Sequence, residues 1–296
     1  MMSINNASRI EVSYLPTPES QGGALAGSVN LVPRSSFERT RPSLRGSVYL
    51  MMRDNARDFH QVPGPREGRA TRNVHPGFDF VYINPVSKRF GFTLSSGYST
   101  QYSAQDTMQN NWRGVNQATN GAAFPHTTPD RPYLTGYLVR DEPKVTTRRS
   151  LGTTVDFRLS PHDRLSLSIQ YSSFAVRFMN NAVTFTINRV LPGDFTPTST
   201  RGAPGMGELQ LSNSPRHRFN ETYMPSLVWR HAGPIYKAEA GVGMSRAFDK
   251  NNLKTHEGFN SITARRTGVT VGFDDIFYLR PRRITRRSGH QATATP

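Results

Sequence analysis

Cysteine is absent from the 296 residues. That excludes disulfide frameworks, thiolate-bound zinc, iron–sulfur clusters and cysteine nucleophiles. Long apolar runs are also absent. The longest compact one, Val48–Met52, falls far short of the ~18 residues of a membrane-spanning helix. Lysine is scarce: 5 of the 37 basic residues, against 32 arginines. Acidic residues number 21, which leaves a formal charge of +16. The arginines are scattered, apart from a cluster at Arg280, Arg282, Arg283, Arg286 and Arg287. Paired Cys/His fingers, an aromatic RNP strand and heptads behind a basic region are all missing, so nucleic acid is not an expected partner. Met1–Arg9 is polar and lacks the apolar core of a secretion signal. Aromatics at 10% are too frequent for a simple disordered chain.

What is present is period two, the pattern of strands. Phe90, Phe92, Leu94, Ser96 and Tyr98 alternate with Gly91, Thr93, Ser95, Gly97 and Ser99. The same alternation runs through Leu151–Leu159, Leu165–Ser172 and Tyr236–Ser245. One face is apolar and aromatic, the other small and polar. Helical patterning is nearly absent.

Short and long connections alternate. Phe78–Ile83 reaches Phe90 through Asn84–Arg89, Leu151–Leu159 reaches Leu165 through Ser160–Arg164, and Phe219–His231 reaches Ile235 through Ala232–Pro234. Each short connection holds Pro or Gly and predicts a hairpin. The others, roughly Asp54–Pro76, Ser103–Thr147, Asn180–Arg216 and Phe248–Ser261, are long and polar. Compact soluble domains rarely carry such loops, whereas a transmembrane β-barrel has short turns on one side and long loops on the other. Tyr49, Phe80, Tyr82, Tyr98, Tyr171, Tyr223, Trp229 and Tyr236 fit an interfacial girdle. A soluble β-sandwich alternates in the same way and stays open as a reading.

Residues 8–34 bear on that choice. Arg9-Ile10-Glu11-Val12 forms a short strand pattern, a loop with Pro16, Pro18, Gly22 and Gly23 follows, and then comes Ala26-Gly27-Ser28-Val29-Asn30-Leu31-Val32. This resembles the C-terminal end of the plug domain of TonB-dependent outer-membrane receptors. The matching positions are Arg9, Ile10, Glu11 and Val12 in the first half, and Ala26, Gly27, Val29, Asn30, Leu31 and Val32 in the second. The usual Arg-Gly-Pro after the first strand is replaced by Leu15–Glu19, which marks a divergent subfamily. The motif covers under a tenth of the chain.

The resemblance implies an all-β fold: an antiparallel meander of about seven or eight long strands, part of a large transmembrane β-barrel, behind a short plug remnant. The eighth strand, in Gly268–Leu279, is the weakest. The expected division is the end of a plug at 1–37, a partial barrel at 42–280 and a basic, disordered tail at 281–296. Since family barrels have 22 strands, the chain reads as a fragment. The implied function is energy-coupled uptake of a scarce solute: a metal chelate, cobalamin or an oligosaccharide. The implied partners are outer-membrane lipid, a TonB-type energising complex acting through a missing N-terminal region, and an extracellular small molecule of unknown identity. The implied location is the bacterial outer membrane.

Catalytic chemistry is not expected. G-x-S-x-G, Walker and H-E-x-x-H patterns are missing, and the eight histidines lack metal-ligand spacing. No cofactor or metal site is expected either. Asp274-Asp275 reads as a solvated pair, and Asp106, Asp130, Asp141 and Glu142 lie in the longest loop. The alternatives are a soluble β-sandwich adhesion or carbohydrate-binding module and, third, a basic nucleic-acid binder or enzyme.

Overall fold

The structure is a computed structural model that describes residues 7–14, 27–54, 57–66, 69–114, 123–252, 261–278 and 280–288. Strand β1 (Ala7–Ser13) pairs antiparallel with β2 (Ser28–Pro33) in a sheet of its own. A single 3₁₀ turn, Ser36–Glu38, follows. The remaining elements are β3 (Ser43–Met51), β4 (Gln61–Arg66), β5 (Arg69–Arg72), β6 (His75–Asn84), β7 (Phe90–Arg113), β8 (Tyr133–Arg158), β9 (Asp163–Thr186), β10 (Val190–Thr196), β11 (Ser199–Gly202), β12 (Gly207–Ala232), β13 (Lys237–Gly243), β14 (Arg246–Asn252), β15 (Ile262–Phe277) and β16 (Arg280–Ser288). No described helix is long and apolar enough to cross a membrane.

The large sheet is an antiparallel meander in the order β3-β6-β7-β8-β9-β12. The far edge of β12 is shared. β13 pairs with its residues 226–232, β14 with 217–223 and β15 with 207–213. These three strands therefore form one rising line with breaks after Gly243 and Asn252. The expected strand in Gly268–Leu279 falls largely within upper β15, which leaves β12 at Val269 and pairs with β11 and β16 instead of adding an eighth strand beside the meander. The sheet does not close on itself among the described residues.

The three predicted short turns are present. Ser87 N–H donates to Phe90 O (2.8 Å), Leu159 N–H to Asp163 O (2.9 Å) and Gly233 N–H to Tyr236 O (3.1 Å). The predicted long loops are shorter than expected, because β7, β8, β9 and β12 run to 24–26 residues. Ser103–Arg113 and Tyr133–Lys144, both within the Ser103–Thr147 stretch read from sequence as loop, pair with each other almost throughout. Their Gln, Asn, Asp and Thr residues conceal a strand, since ladder bonds need no apolar face.

Register explains how the two faces differ. Phe92, Val155, Leu167, Leu227 and Val242 are successive cross-strand partners, and so are Thr93, Thr154, Ser168, Ser226 and Gly243. Residues adjacent in a strand point to opposite faces. The apolar row is exposed (Leu167 40%, Val242 69%), while Thr93 and Thr154 are buried at 0% and 2%. Polarity at this hairpin end is the reverse of a water-soluble sheet. Tyr49 is an exception to the sequence reading: it pairs with Gly77 and its ring covers that residue on the polar face, away from the other aromatics.

At the opposite end the polarity is ordinary. Tyr133, Leu134, Tyr137, Ile187, Val190, Val269, Val271, Phe273 and Ile276 form a core where β10, β11 and upper β15 fold back over β8. Phe195 stacks on Tyr133 with ring centres 4.2 Å apart. The basic segment expected to be a disordered tail contributes β16 over residues 280–288, paired with β15. Arg282 lies over the Phe277 ring at 4.2 Å and Ile284 packs on the core. These contacts give the segment an ordered partner that its composition does not announce. Residues 289–296 lie outside the described residues.

Candidate functional site

The site that emerges is where the N-terminal segment meets the polar face of the sheet. Of the plug-like motif, Gly27 immediately precedes β2, Val29 and Asn30 lie near its start, and Arg9, Ile10, Glu11 and Val12 lie on β1. Pairing joins the two halves: Arg9 opposes Val32, Ile10 opposes Leu31, Glu11 opposes Asn30 and Val12 opposes Val29. Gly27 has φ +108°, and a Cβ there would collide with the Ser13 carbonyl oxygen. Only glycine enters the hairpin in that conformation without strain. Leu15–Glu19 and the glycines of the intervening loop lie outside the described residues.

Two residues past β2 the chain reaches Asp156. This carboxylate has no exposed surface. Its Oδ2 accepts from Ser36 N–H (2.7 Å), Ser36 Oγ (2.8 Å) and Ser35 Oγ (3.0 Å). Its Oδ1 accepts from Ser166 Oγ (2.6 Å) and Arg164 Nη2 (3.1 Å). A buried carboxylate is tolerated only with donors of this kind. Ser35 also caps the 3₁₀ turn. Its side chain accepts from Phe37 N–H, and Ser35 N–H in turn donates to Glu38 Oε1. The Phe37 ring lies under Arg158 (4.8 Å) and Arg164 (5.8 Å). Gly91 faces Ser36 so closely that a Cβ there would displace it. The result is a polar latch fixing residues 35–37 against β7, β8 and β9. Sequence reasoning missed it, although Ser35-Ser36-Phe37-Glu38 carries the capping-box signature.

A second cluster joins the turns. Asp163 Oδ1 lies 2.9 Å from His231 Nδ1, and Asp163 Oδ2 accepts from Ser160 Oγ at 2.5 Å. The Ser160 and His231 contacts hold the Asp163 carboxyl below its usual range. His231 stacks on Tyr236 at 4.5 Å. Ala232 N–H donates to His162 O, linking the β8–β9 turn to the β12–β13 turn. Here serine and histidine both bind the aspartate, so serine has no base to activate it and the arrangement is not a nucleophilic triad.

On the apolar face, polar groups appear above Leu151. Arg149 lies over the Tyr98 ring at 5.9 Å, and Tyr171 Oη donates to Glu221 Oε1 at 2.8 Å. Asp106 and Asp141 are cross-strand partners beyond that level, and Asp275 pairs with Arg282. Among the described residues no group of three or more His, Asp or Glu is arranged to hold a metal. No protein-family model matches the sequence, and no curated protein matches it.

Proposed function

We propose that this sheet is a sector of an outer-membrane β-barrel receptor of the TonB-dependent type, working in the energy-coupled uptake of a scarce solute. The observation that carries the reading is the inverted polarity of the hairpin end. A sandwich would cover Leu94, Leu167 and Val242 with a second sheet; a barrel leaves them for lipid. From Leu151 to Leu159 the apolar face spans nine residues, close to the ~9–11 of a tilted transmembrane strand. Tyr98, Tyr171 and Tyr223 lie near one edge of that band, beside Arg149 and Glu221. Phe90, Phe157 and Trp229 lie at the other. That placement suits two interfacial girdles.

In this reading the polar face is the lumen wall and the Asp156 latch anchors the chain as it leaves the plug. The energising complex pulls on the plug, and the latch defines where that pull ends. The work of this chain is binding and passage, with no covalent step.

The test uses the absence of native cysteine. Single cysteines at Leu94, Leu167 and Val242 are expected to resist a water-soluble maleimide in native membranes and to label once the membrane is dissolved and the protein denatured. Ready labelling of all three in intact membranes would falsify the barrel assignment.

A further inference from the structure

The polar face changes character above the latch. Along β8, Asp156, Thr154, Gly152, Ser150, Arg148, Thr146 and Lys144 share one face by alternation. Across the register, Arg148 pairs with Phe174, and Lys144 pairs with Phe178, which pairs with Arg216. Arg148 lies over the Phe174 ring at 5.5 Å and Arg216 over the Phe178 ring at 5.2 Å. Two guanidiniums and an ammonium thus lie with two phenyl rings on two rows of one face, four positions apart along the strands, and Arg218, engaged by Asp249, lies in the row between them. The acids on this face are already engaged. Asp249 receives Arg218 through both oxygens, and Glu142 lies 3.9 Å from Arg140. Among the described residues Lys144, Arg148 and Arg216 have no carboxylate partner, and Arg148 Nε is buried without a hydrogen-bond acceptor.

We propose that this tier is a solute-binding site selective for an anionic aromatic ligand. The proposal rests on the barrel reading for calling this face a lumen. The chemistry is direct. A guanidinium seated on a ring keeps its N–H fork free for a carboxylate, sulfonate or phenolate. The phenyl rings offer flat apolar surface to an aromatic body. A neutral oligosaccharide would offer these cations no counter-charge, so the tier discriminates by charge as well as by shape. The tier also stands eight residues from Asp156 along β8, roughly 26 Å at a strand's rise. A ligand held there sits between the loop end and the latch, where a plug would meet it.

The test is a fluorescence-anisotropy titration of the full chain in an uncharged detergent, with the trisulfonated pyrene dye pyranine as probe. The unaltered chain should bind it, with displacement by benzene-1,3,5-tricarboxylate and none by maltotriose. The double variant Arg148→Gln/Arg216→Gln should bind about tenfold more weakly or worse. A charge-matched control, Arg189→Gln/Arg201→Gln, should bind as the unaltered chain does. Arg148→Lys keeps the charge, loses the fork and should weaken binding several-fold, which covers a double variant that fails to fold. Equal affinity in the double variant and the control overturns the site, as does displacement by maltotriose. The two proposals fail separately. Aqueous labelling at Leu94, Leu167 and Val242 overturns the barrel and leaves the titration standing, whereas unchanged titration overturns the site whatever the labelling shows.

Discussion

Asp156 illustrates how a charge enters the interior of this chain. Five donors surround it, four of them from serines and one from Arg164. Removing the carboxylate leaves a guanidinium and three hydroxyls facing an empty space. Breaking a buried, paired charge typically costs about 3 kcal/mol or more, so Asp156→Ala should lower urea stability in detergent by that order. It should also free the segment that the latch holds. Arg34 and Arg39 flank Ser35–Glu38, so trypsin should cut the variant after them faster than the unaltered chain. Equal cleavage rates would show that residues 35–37 are held by something other than Asp156. Gly27 carries a different kind of constraint. Its φ of +108° and the crowding by Ser13 mean that Gly27→Ala forces the β1–β2 hairpin to open.

At the scale of elements, the turns act as a clamp. Asp163 joins the β8–β9 turn to His231 at the end of β12. Its carboxyl is held below the usual range, first by Ser160 and then by His231. The folded form therefore favours the ionised carboxylate, and its contribution is complete above the unfolded value of about 3.9. It is lost as pH falls through the depressed folded value. Melting curves in detergent should separate the unaltered chain from Asp163→Asn at pH 7, and the gap should close below about pH 4. A gap that persists in strong acid would assign the effect to something other than this ionisation. The turns themselves were legible in sequence, because Pro85, Pro161, Gly233 and Pro234 interrupt alternating runs. The apolar band was legible for the same reason: alternation is a local property. The upper halves of β7, β8, β9 and β12 were not, since their apolar residues, such as Tyr133, Leu134 and Tyr137, stand among Gln, Asn, Asp and Thr without a sustained period of two and are buried by segments distant in sequence. The latch was hidden because Ser36 and Asp156 lie 120 positions apart, and only the register of β7 with β8 brings that wall together. β16 was hidden by its arginines, which favour a solvated reading until Phe277 and the upper core are placed beside them.

At the scale of the whole molecule, the two ends obey opposite rules, and this fixes what medium the chain needs. The loop end buries Tyr133, Phe273 and Val271 as any water-soluble domain would. The hairpin end buries Thr93, Ser95, Thr154 and Asp156 and turns Leu151, Phe157, Leu167 and Ile169 outward. Along β3, and along β13 and β14, one backbone edge has no strand partner among the described residues. Such edges recruit other strands, and contiguous exposed apolar surface drives association. The loop-end core cannot offset this, because it lies beyond the band and shields none of it. The 296-residue chain refolded without detergent should therefore elute as large, heterogeneous aggregates, and uncharged detergent added before refolding should suppress them. Charge does not rescue it: the arginines of the tier between Lys144 and Arg216 face the other side of the sheet. A sharp monomeric peak in plain buffer, with a cooperative melt, would mean that the apolar rows are covered by the chain itself. That outcome would return the molecule to the soluble sandwich.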